Sequence, residues 1–264
     1  MKLCANVSML FTEYPLAERI AAARQAGFSA IEVQFPYELS CEQWRERLDA
    51  SAMKLALINL PAGDLMSGGE GLAAVPDRRK EFKAALAEGL RYAKVLQVDA
   101  VNILPGVCHD PEHYEQYRAT LVSNLTLAAC ELQKIGVRAT FEAINTHDMP
   151  HFMVSSLASM QNILADVNHP NLFMQYDCYH MARMQEPLLQ QLPNIIERVG
   201  HIQFADCPGR GQPGSGQLDY RKIFQTLESL NYPFWLGAEY HPQDGNSAKS
   251  LGWLSDFPHG SISP

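Results

Sequence analysis

Long apolar runs are missing from this sequence of 264 residues. No stretch approaches the roughly 18 consecutive apolar residues that a membrane-spanning helix needs, so we expect no membrane partner. Met1 and Lys2 lead directly into a strand-like segment, so we expect no targeting sequence.

The sequence also lacks paired cysteines and a surplus of basic residues. Its 6 cysteines are scattered without a CxxC pair, which indicates a reduced, cytoplasmic protein with ordinary thiols. The 21 basic residues are outnumbered by 29 acidic ones, for a formal net charge of −8. Because nucleic-acid binding relies on clustered lysine and arginine, we expect no nucleic-acid partner.

What the sequence does contain is a repeated unit, an apolar strand followed by an amphipathic helix, about eight times between residues 3 and 253. An apolar content of 47% supports a large core. Eight such units predict an α/β fold of the (β/α)8 TIM barrel type, as a single domain over residues 1–264. An open doubly wound sheet usually has a glycine-rich turn after its first strand, and residues 8–15 contain no glycine.

Several helix boundaries follow from capping residues. Ser40 and Gln43 form a capping-box pattern before a helix that ends near residue 50. Asp110 precedes Pro111 at the start of a helix of about 25 residues, and Asp219 caps a later one. A further helix is predicted over residues 187–199.

Oxygen-bearing side chains stand at the ends of four successive predicted strands, and they are Glu142, Asp177, Gln203 and Glu239. Parallel barrels place their functional sites at the carboxyl ends of the strands, so these four side chains are expected to share one pocket. Because alternate side chains of a barrel strand point inward, Gly237 is expected to leave space beneath Glu239.

Three carboxylates and one amide oxygen form a set of hard ligands, which favours Mg²⁺ or Mn²⁺ over Zn²⁺. Without a cation, carboxylates this close would raise one another's pKa. A divalent ion would also polarise a bound carbonyl group. We therefore predict a divalent-metal site formed by Glu142, Asp177, Gln203 and Glu239.

Glu142 and Glu239 come from strands on opposite sides of the predicted barrel. This arrangement suits removal of a proton from one carbon and its return to the neighbouring carbon through an enediolate. A glycosidase also uses paired acids, but it does not need Asp177 and Gln203 in the same ring.

Two further polar residues are candidates for substrate binding. His180 lies one turn beyond Asp177, where it either caps a helix or donates to a substrate oxygen. Arg210 lies in a glycine-rich loop, and arginine grips carboxylates with two hydrogen bonds. Glu70 is interpreted as a surface acid of another loop. The histidines interpreted as surface residues are His109, His113, His169 and His259.

Taken together, the motifs resemble the hydroxypyruvate isomerase and 2-oxo-tetronate isomerase family of the xylose-isomerase-like barrels, nearly from end to end. The segments that carry this resemblance are 5–11, 35–37, 59–64, 69–72, 141–145, 175–180, 201–203, 209–216 and 237–240. The resemblance implies an aldose–ketose isomerisation of a small 2-oxo acid, with Glu142 and Glu239 as the acid/base pair. In the related sugar epimerases those two positions and that of Asp177 also bind the metal.

Two positions depart from the relatives. Gln203 stands where the sugar epimerases carry histidine, which implies weaker metal binding. His241 stands where relatives carry lysine after Glu-Tyr, which leaves the identity of the substrate open.

The first hypothesis is therefore an isomerase of hydroxypyruvate and tartronate semialdehyde, and the alternative is a 2-oxo-tetronate isomerase. More remote alternatives are a sugar epimerase, a barrel endonuclease and a catalytically silent sugar-acid binder. The endonuclease needs more histidine ligands and a basic face. Barrels often pair, so a homo-oligomer is compatible with the sequence.

Overall fold

Eight parallel strands close into a barrel in chain order in the computed structural model, which describes residues 1–257. The predicted (β/α)8 barrel is therefore confirmed. The strands are β1 (Lys2–Asn6), β2 (Ala30–Val33), β3 (Lys54–Asn59), β4 (Ala100–Ile103), β5 (Arg138–Glu142), β6 (Leu172–Asp177), β7 (Val199–Phe204) and β8 (Trp235–Ala238). The α-helices are α1 (Leu16–Gln25), α2 (Cys41–Ala50), α3 (Arg79–Leu96), α4 (Tyr114–Lys134), α5 (Leu157–Val167), α6 (Cys178–Arg183), α7 (Leu188–Ile195) and α8 (Tyr220–Ser229).

The predicted caps are largely present. The Ser40 side chain accepts from the Gln43 backbone N–H while the Gln43 side chain accepts from Ser40, so the capping box at α2 is complete. Asp219 caps α8 by accepting from the Lys222 N–H at 3.1 Å. Asp110 instead caps a short 3-10 turn, Pro111–His113, before α4 begins. A tight first turn of this kind is common at helix N-termini.

The chain between β6 and β7 differs from the prediction. A six-residue helix, α6, follows β6 directly, and no pattern in the sequence predicted it. The predicted helix over 187–199 ends early at Ile195 and continues as a 3-10 turn, Ile196–Arg198. As a result, β7 begins at Val199, which the predicted helix had included.

The barrel interior is built in layers. At its amino-terminal end, Cys4, Ala30, Ala56 and Trp235 form a small apolar cluster. The Trp235 indole donates to Asp99 at 2.6 Å, which satisfies its polar atom there. The main apolar core lies outside the strands, where buried side chains of the helices pack on the barrel wall.

The space above this cluster is filled, contrary to the expectation for Gly237. A Cβ atom added at Gly237 would lie 2.3 Å from Glu32 Oε2, so the missing side chain makes room for the fully buried carboxylate of Glu32. Within residues 1–257, no helix combines the length and the apolar character needed to cross a membrane.

Candidate active site

A cavity of about 200 Å³ opens at the carboxyl-terminal end of the barrel. Five of the six predicted site residues line it, namely Glu142, His180, Gln203, Arg210 and Glu239. Asp177 lies directly behind the cavity wall, with its Oδ2 3.6 Å from His180 Nε2. The polar side chains predicted from four strand ends are therefore brought together.

The strand ends explain this convergence. Glu142 and Asp177 are the last residues of β5 and β6, and Glu239 directly follows β8. Asp177 is in register with Gln203, and Gln203 with Gly237, so consecutive strands present these groups at similar heights in the barrel.

Glu142 is buried and is held by neutral donors. Its Oε2 accepts from Asn102 Nδ2 at 2.6 Å and from Gln175 Nε2 at 2.8 Å. Its Oε1 lies 3.9 Å from His180 Nε2. Burial raises the pKa of Glu142 well above its usual range, and the charges of Glu239 and Asp177 add to the effect.

Glu239 has a different set of neighbours. Its Oε1 accepts from Asn6 and Gln34 at 2.9 Å each and from Gln203 Nε2 at 3.2 Å. Its Oε2 accepts from Arg210 Nη2 at 2.7 Å. Burial raises the pKa of Glu239, but the guanidinium of Arg210 opposes that effect. Of the two glutamates, Glu239 is therefore the one held closer to its ionised form.

Asp177 is both a cap and a site residue. Its Oδ1 accepts from the backbone N–H groups of Tyr179 at 2.7 Å and His180 at 3.4 Å, which starts α6. The other oxygen, Oδ2, faces His180 Nε2 and, at 3.9 Å, Arg210 Nη2. One carboxylate oxygen therefore fixes the backbone while the other faces the charged groups of the site.

The surroundings of His180 fix its tautomer. Its Nδ1 lies 2.7 Å from Asn145 Nδ2 and also accepts from the Asn145 backbone N–H at 3.4 Å. The Asn145 amide is oriented by Asp148, which accepts from Nδ2, and by backbone donors to its Oδ1. With Nδ1 as an acceptor, the neutral ring carries its proton on Nε2, which faces Asp177 and Glu142. Burial, helped by Arg210, lowers the pKa of His180 to about 3, so the ring is neutral.

Arg210 was predicted to bind a carboxylate and lies on a loop that is firmly held. Asp206 accepts from the backbone N–H groups of Cys207, Gly214 and Leu218 and thereby closes the loop around it. The Arg210 guanidinium stacks over Tyr179 at 5.1 Å and pairs with Glu239. Its side chain is only 23% exposed, and its buried Nε has no hydrogen-bond partner among the described residues.

Several site residues were not predicted. Asn6, Gln34, Asn102 and Gln175 donate to the two glutamates, and each is an amide that ordinarily looks like a surface or turn residue in a sequence. Glu32 lies below them within the apolar stretch 30–33. The one sequence signal for Glu32 is an acidic residue inside an otherwise apolar strand.

The oxygens of the predicted ligand set differ in how free they are to bind a cation. Glu142, Asp177 and His180 offer atoms within 4.8 Å of one another, and the two carboxylate oxygens involved have only long contacts, of 3.6 Å or more. The protonated Nε2 of His180 is a donor, so the carboxylates are the better ligands. The oxygen of Gln203 accepts from Gln175 at 2.7 Å and keeps a second lone pair.

Three buried carboxylates near a single arginine leave a negative charge that a divalent cation would balance. The residues present therefore fit such a cation, with hard oxygens as ligands. A second cluster, formed by Cys4, Glu32 and His201, also brings potential ligands together. Its Glu32 already accepts four hydrogen bonds, so this carboxylate is satisfied without a cation, while His201 Nδ1 is buried with no hydrogen-bond partner among the described residues.

Other predicted residues have structural roles. Glu70 accepts from the His109 N–H at 3.3 Å and from Tyr117 Oη at 2.7 Å, so it ties its loop to a second loop and to α4 and is not a free surface acid. The backbone N–H of His241 donates to the Arg210 carbonyl at 2.8 Å, while its side chain is exposed. His109 and His113 are exposed, His169 is half-buried, and His259 lies outside the described residues.

One side of the cavity is apolar. Its residues on this side, which we call the apolar wall, are Phe35, Met66, Leu104, Ile144 and Met149. Leu104 and Ile144 are buried in a satellite apolar cluster on which Phe35 and Met149 pack. The cavity therefore accepts a small molecule with oxygens on one side and carbon on the other.

Residues 20–257 match the model of a protein family described as "Xylose isomerase-like TIM barrel". The chain is 37% identical to hydroxypyruvate isomerase of Escherichia coli, over 97% of this chain and 99% of that one. It is also 37% identical to 2-oxo-tetronate isomerase of Cupriavidus necator, over 97% and 98% of the two chains. A solved structure named as a family 2 AP endonuclease from Brucella melitensis superposes with a TM-score of 0.92 at 30% identity, over 96% and 98% of the chains.

Proposed function

The chain belongs to the xylose isomerase-like TIM barrel family, and we propose that it interconverts hydroxypyruvate and 2-hydroxy-3-oxopropanoate (tartronate semialdehyde). Such a reaction makes it an intramolecular oxidoreductase that exchanges the aldehyde and ketone forms of a small acid. The observation that carries the proposal is the pair of buried glutamates, Glu142 and Glu239, lining one cavity with a single arginine.

The reaction moves one hydrogen between adjacent carbons. Loss of a proton from carbon 3 of hydroxypyruvate leaves its electron pair in a new double bond between carbons 2 and 3, which is the enediolate. A proton added at carbon 2 then completes the new C–H bond. The hydroxyl proton passes from the oxygen on carbon 3 to the oxygen on carbon 2, so no oxidant or reductant is consumed.

The environments of the two glutamates support different starting roles. Glu239, paired with Arg210, is the base that removes the first proton. Glu142, whose pKa is raised furthest from its usual value, is the acid that supplies the second. The two glutamates return to their starting protonation states by exchange with water before the next turnover.

The remaining polar groups hold the substrate. The N–H at His180 Nε2 donates to the oxygen on carbon 2, where negative charge develops in the enediolate. Arg210 lines the cavity, and its guanidinium, which pairs with Glu239 through Nη2, also suits the substrate carboxylate. The apolar wall excludes water from the carbon side of the substrate.

A divalent cation, Mg²⁺ or Mn²⁺, is the proposed cofactor, held by Glu142, Asp177, Gln203 and Glu239. When bound it would polarise the substrate carbonyl and offset the negative charge of the site. Its identity and the need for it are part of the proposal. Cytoplasmic location and assembly into a homo-oligomer stay predictions from the sequence.

The test is a side-by-side assay of the purified chain on hydroxypyruvate and on 2-oxo-tetronate, each with EDTA and with added Mn²⁺. We expect turnover of hydroxypyruvate with incorporation of deuterium at carbon 2 in D₂O. Faster turnover of 2-oxo-tetronate to 3-oxo-tetronate would favour the alternative, which the relative from Cupriavidus necator represents. If the chain turned over neither acid, the remaining hypothesis would be a catalytically silent sugar-acid binder.

The similar structure from Brucella melitensis is named as an endonuclease, which raises that alternative for this chain. Among the lining residues of the described cavity, His180 is the only histidine and Arg210 the only arginine. A formal net charge of −8 also opposes binding to a phosphate backbone. Binding of abasic-site DNA at low salt, followed by strand cleavage, would overturn the isomerase proposal.

A further inference from the structure

The fully buried side chain of Glu32 shares two amide donors with Glu239, and no step of the proposed reaction uses it. Its Oε1 accepts from Asn6 Nδ2 at 2.9 Å and from Gln203 Nε2 at 2.7 Å. Its Oε2 accepts from His201 Nε2 at 2.6 Å and from the Cys4 thiol at 3.4 Å. Both oxygens of Glu32 are therefore saturated, although its carboxylate comes from the strand β2, far from β7 and β8 in sequence.

The two amides below Glu239 are shared between carboxylates. Asn6 Nδ2 and Gln203 Nε2 each donate both to Glu32 Oε1 and to Glu239 Oε1. If either amide turned over, its carbonyl oxygen would face two carboxylate oxygens. Glu32 and Glu239 therefore act together to orient the NH₂ end of each amide, and Asn6 Oδ1 accepts in addition from the Ser8 backbone N–H at 3.0 Å.

The same constraint extends to the other glutamate. With its nitrogen committed to Glu32, Gln203 presents its oxygen to Gln175 Nε2 at 2.7 Å. Gln175 in turn donates from that nitrogen to Glu142 Oε2 at 2.8 Å. A single chain of hydrogen bonds thus runs from Glu32 through two glutamines to Glu142.

We infer that Glu32 is a positioning residue that orients the amides of Asn6 and Gln203 and, through them, both glutamates of the proposed reaction. Gly237 gives independent support, because any side chain there would collide with the Glu32 carboxylate. The effect on catalysis rests on the proposed function, whereas the orientation of the amides does not.

Two substitutions separate orientation from charge. Glu32→Leu removes one of the two carboxylate acceptors of these amides, so that Glu239 alone holds their nitrogens and their positions beneath it are no longer fixed from below. Glu32→Gln removes the charge but keeps an oxygen for Asn6 and Gln203, because its NH₂ group can face His201 and Cys4 instead. Since a displacement of about 1 Å can cost about 10²-fold in rate, we expect kcat to fall about 100-fold in Glu32→Leu with KM within about threefold. Glu32→Gln should stay within about fivefold of the wild type.

Controls keep the test independent of folding. Asp99→Asn makes the same acid-to-amide change at the far end of the barrel, where Asp99 contacts Trp235 and Lys54, and it should leave turnover unchanged. If Glu32→Leu does not fold, Gly237→Ala crowds the same carboxylate without that loss and should lower kcat selectively. In a Glu32→Ala background, Gly237→Ala should have no further effect.

A second readout does not depend on activity. With selective ¹⁵N labelling of asparagine and glutamine, the side-chain NH₂ protons of Asn6 and Gln203 should exchange slowly in the wild type and in Glu32→Gln, and rapidly in Glu32→Leu. Equal loss of turnover in the two Glu32 variants, or slow exchange that persists in Glu32→Leu, would overturn the inference. A wild-type chain that turns over neither acid would refute the proposed function only, and amide exchange would then decide the role of Glu32.

Discussion

Replacement of Arg210 by methionine should make stability strongly dependent on pH. Arg210 contacts Glu239 at 2.7 Å and lies 3.9 Å from Asp177, and its charge opposes the rise in pKa of three buried carboxyls. Removing one partner of a buried ion pair typically costs about 3–5 kcal/mol. Because the Arg210 side chain is 23% exposed, we expect a loss of about 3 kcal/mol in the free energy of unfolding near neutral pH.

The direction of the pH effect follows from the carboxyls that remain. Without Arg210, the folded-state pKa values of Glu142, Asp177 and Glu239 rise further above their unfolded values. A carboxyl with a raised pKa binds more protons when folded, so stability falls as pH rises from the unfolded pKa, about 4, through the folded pKa. The loss caused by Arg210→Met should therefore be small at about pH 4 and largest above the raised pKa values.

Urea unfolding at several pH values, with and without Mn²⁺, measures this effect. Added Mn²⁺ should recover part of the lost stability at high pH, because it neutralises the same carboxylates. Arg91→Met is the matched control, since Arg91 pairs with Glu88 at the surface and its replacement should change stability far less than that of Arg210. A penalty for Arg210→Met that is equal at low and high pH would refute the reasoning.

The remaining predictions concern catalysis. Glu142→Gln and Glu239→Gln should each lower kcat by about 10²–10⁴ without unfolding the barrel. The surface change Glu131→Gln is the control and should leave kcat unchanged. Near-normal turnover in either site variant contradicts the two-glutamate mechanism. His180→Ala should lower kcat by about 10², because a donor to the developing oxyanion is lost. Burial and Arg210 lower the pKa of His180 to about 3, so His180→Gln should leave the shape of the pH–rate profile unchanged. If one limb of the profile disappeared in His180→Gln, that result would contradict a neutral His180.

Much of the fold and of the proposed site could be predicted because the signals are local. Each strand–helix unit carries its own apolar period and caps, as the capping box of Ser40 and Gln43 illustrates. The positions of Glu142, Asp177 and Glu239 followed from a single rule, that side chains at the carboxyl ends of barrel strands converge. The helix α6 was missed because its cap, Asp177, is also a site residue and its six residues are too few to show a period.

What the sequence did not reveal depends on contacts between distant residues. Glu32 and His201 are 169 positions apart, and no pattern near either residue indicates their pairing. Gly237 suggested empty space because a sequence shows the side chain that is missing and not the carboxylate that fills the gap. The orientation of Gln203 likewise depends on Glu32 and Gln175, which lie on two other strands.

The choice of donors around the two glutamates has a chemical consequence. Asn6, Gln34, Asn102, Gln175 and Gln203 are all neutral, and they hold Glu142 and Glu239 by hydrogen bonds alone. Lysine or arginine in their places would form strong ion pairs and lower the basicity of both carboxylates. Neutral amides fix the geometry and leave the carboxylates basic enough to accept a proton from carbon and to bind a cation. The cost is a buried excess of negative charge, which Arg210 only partly balances and which lowers stability in exchange for reactivity.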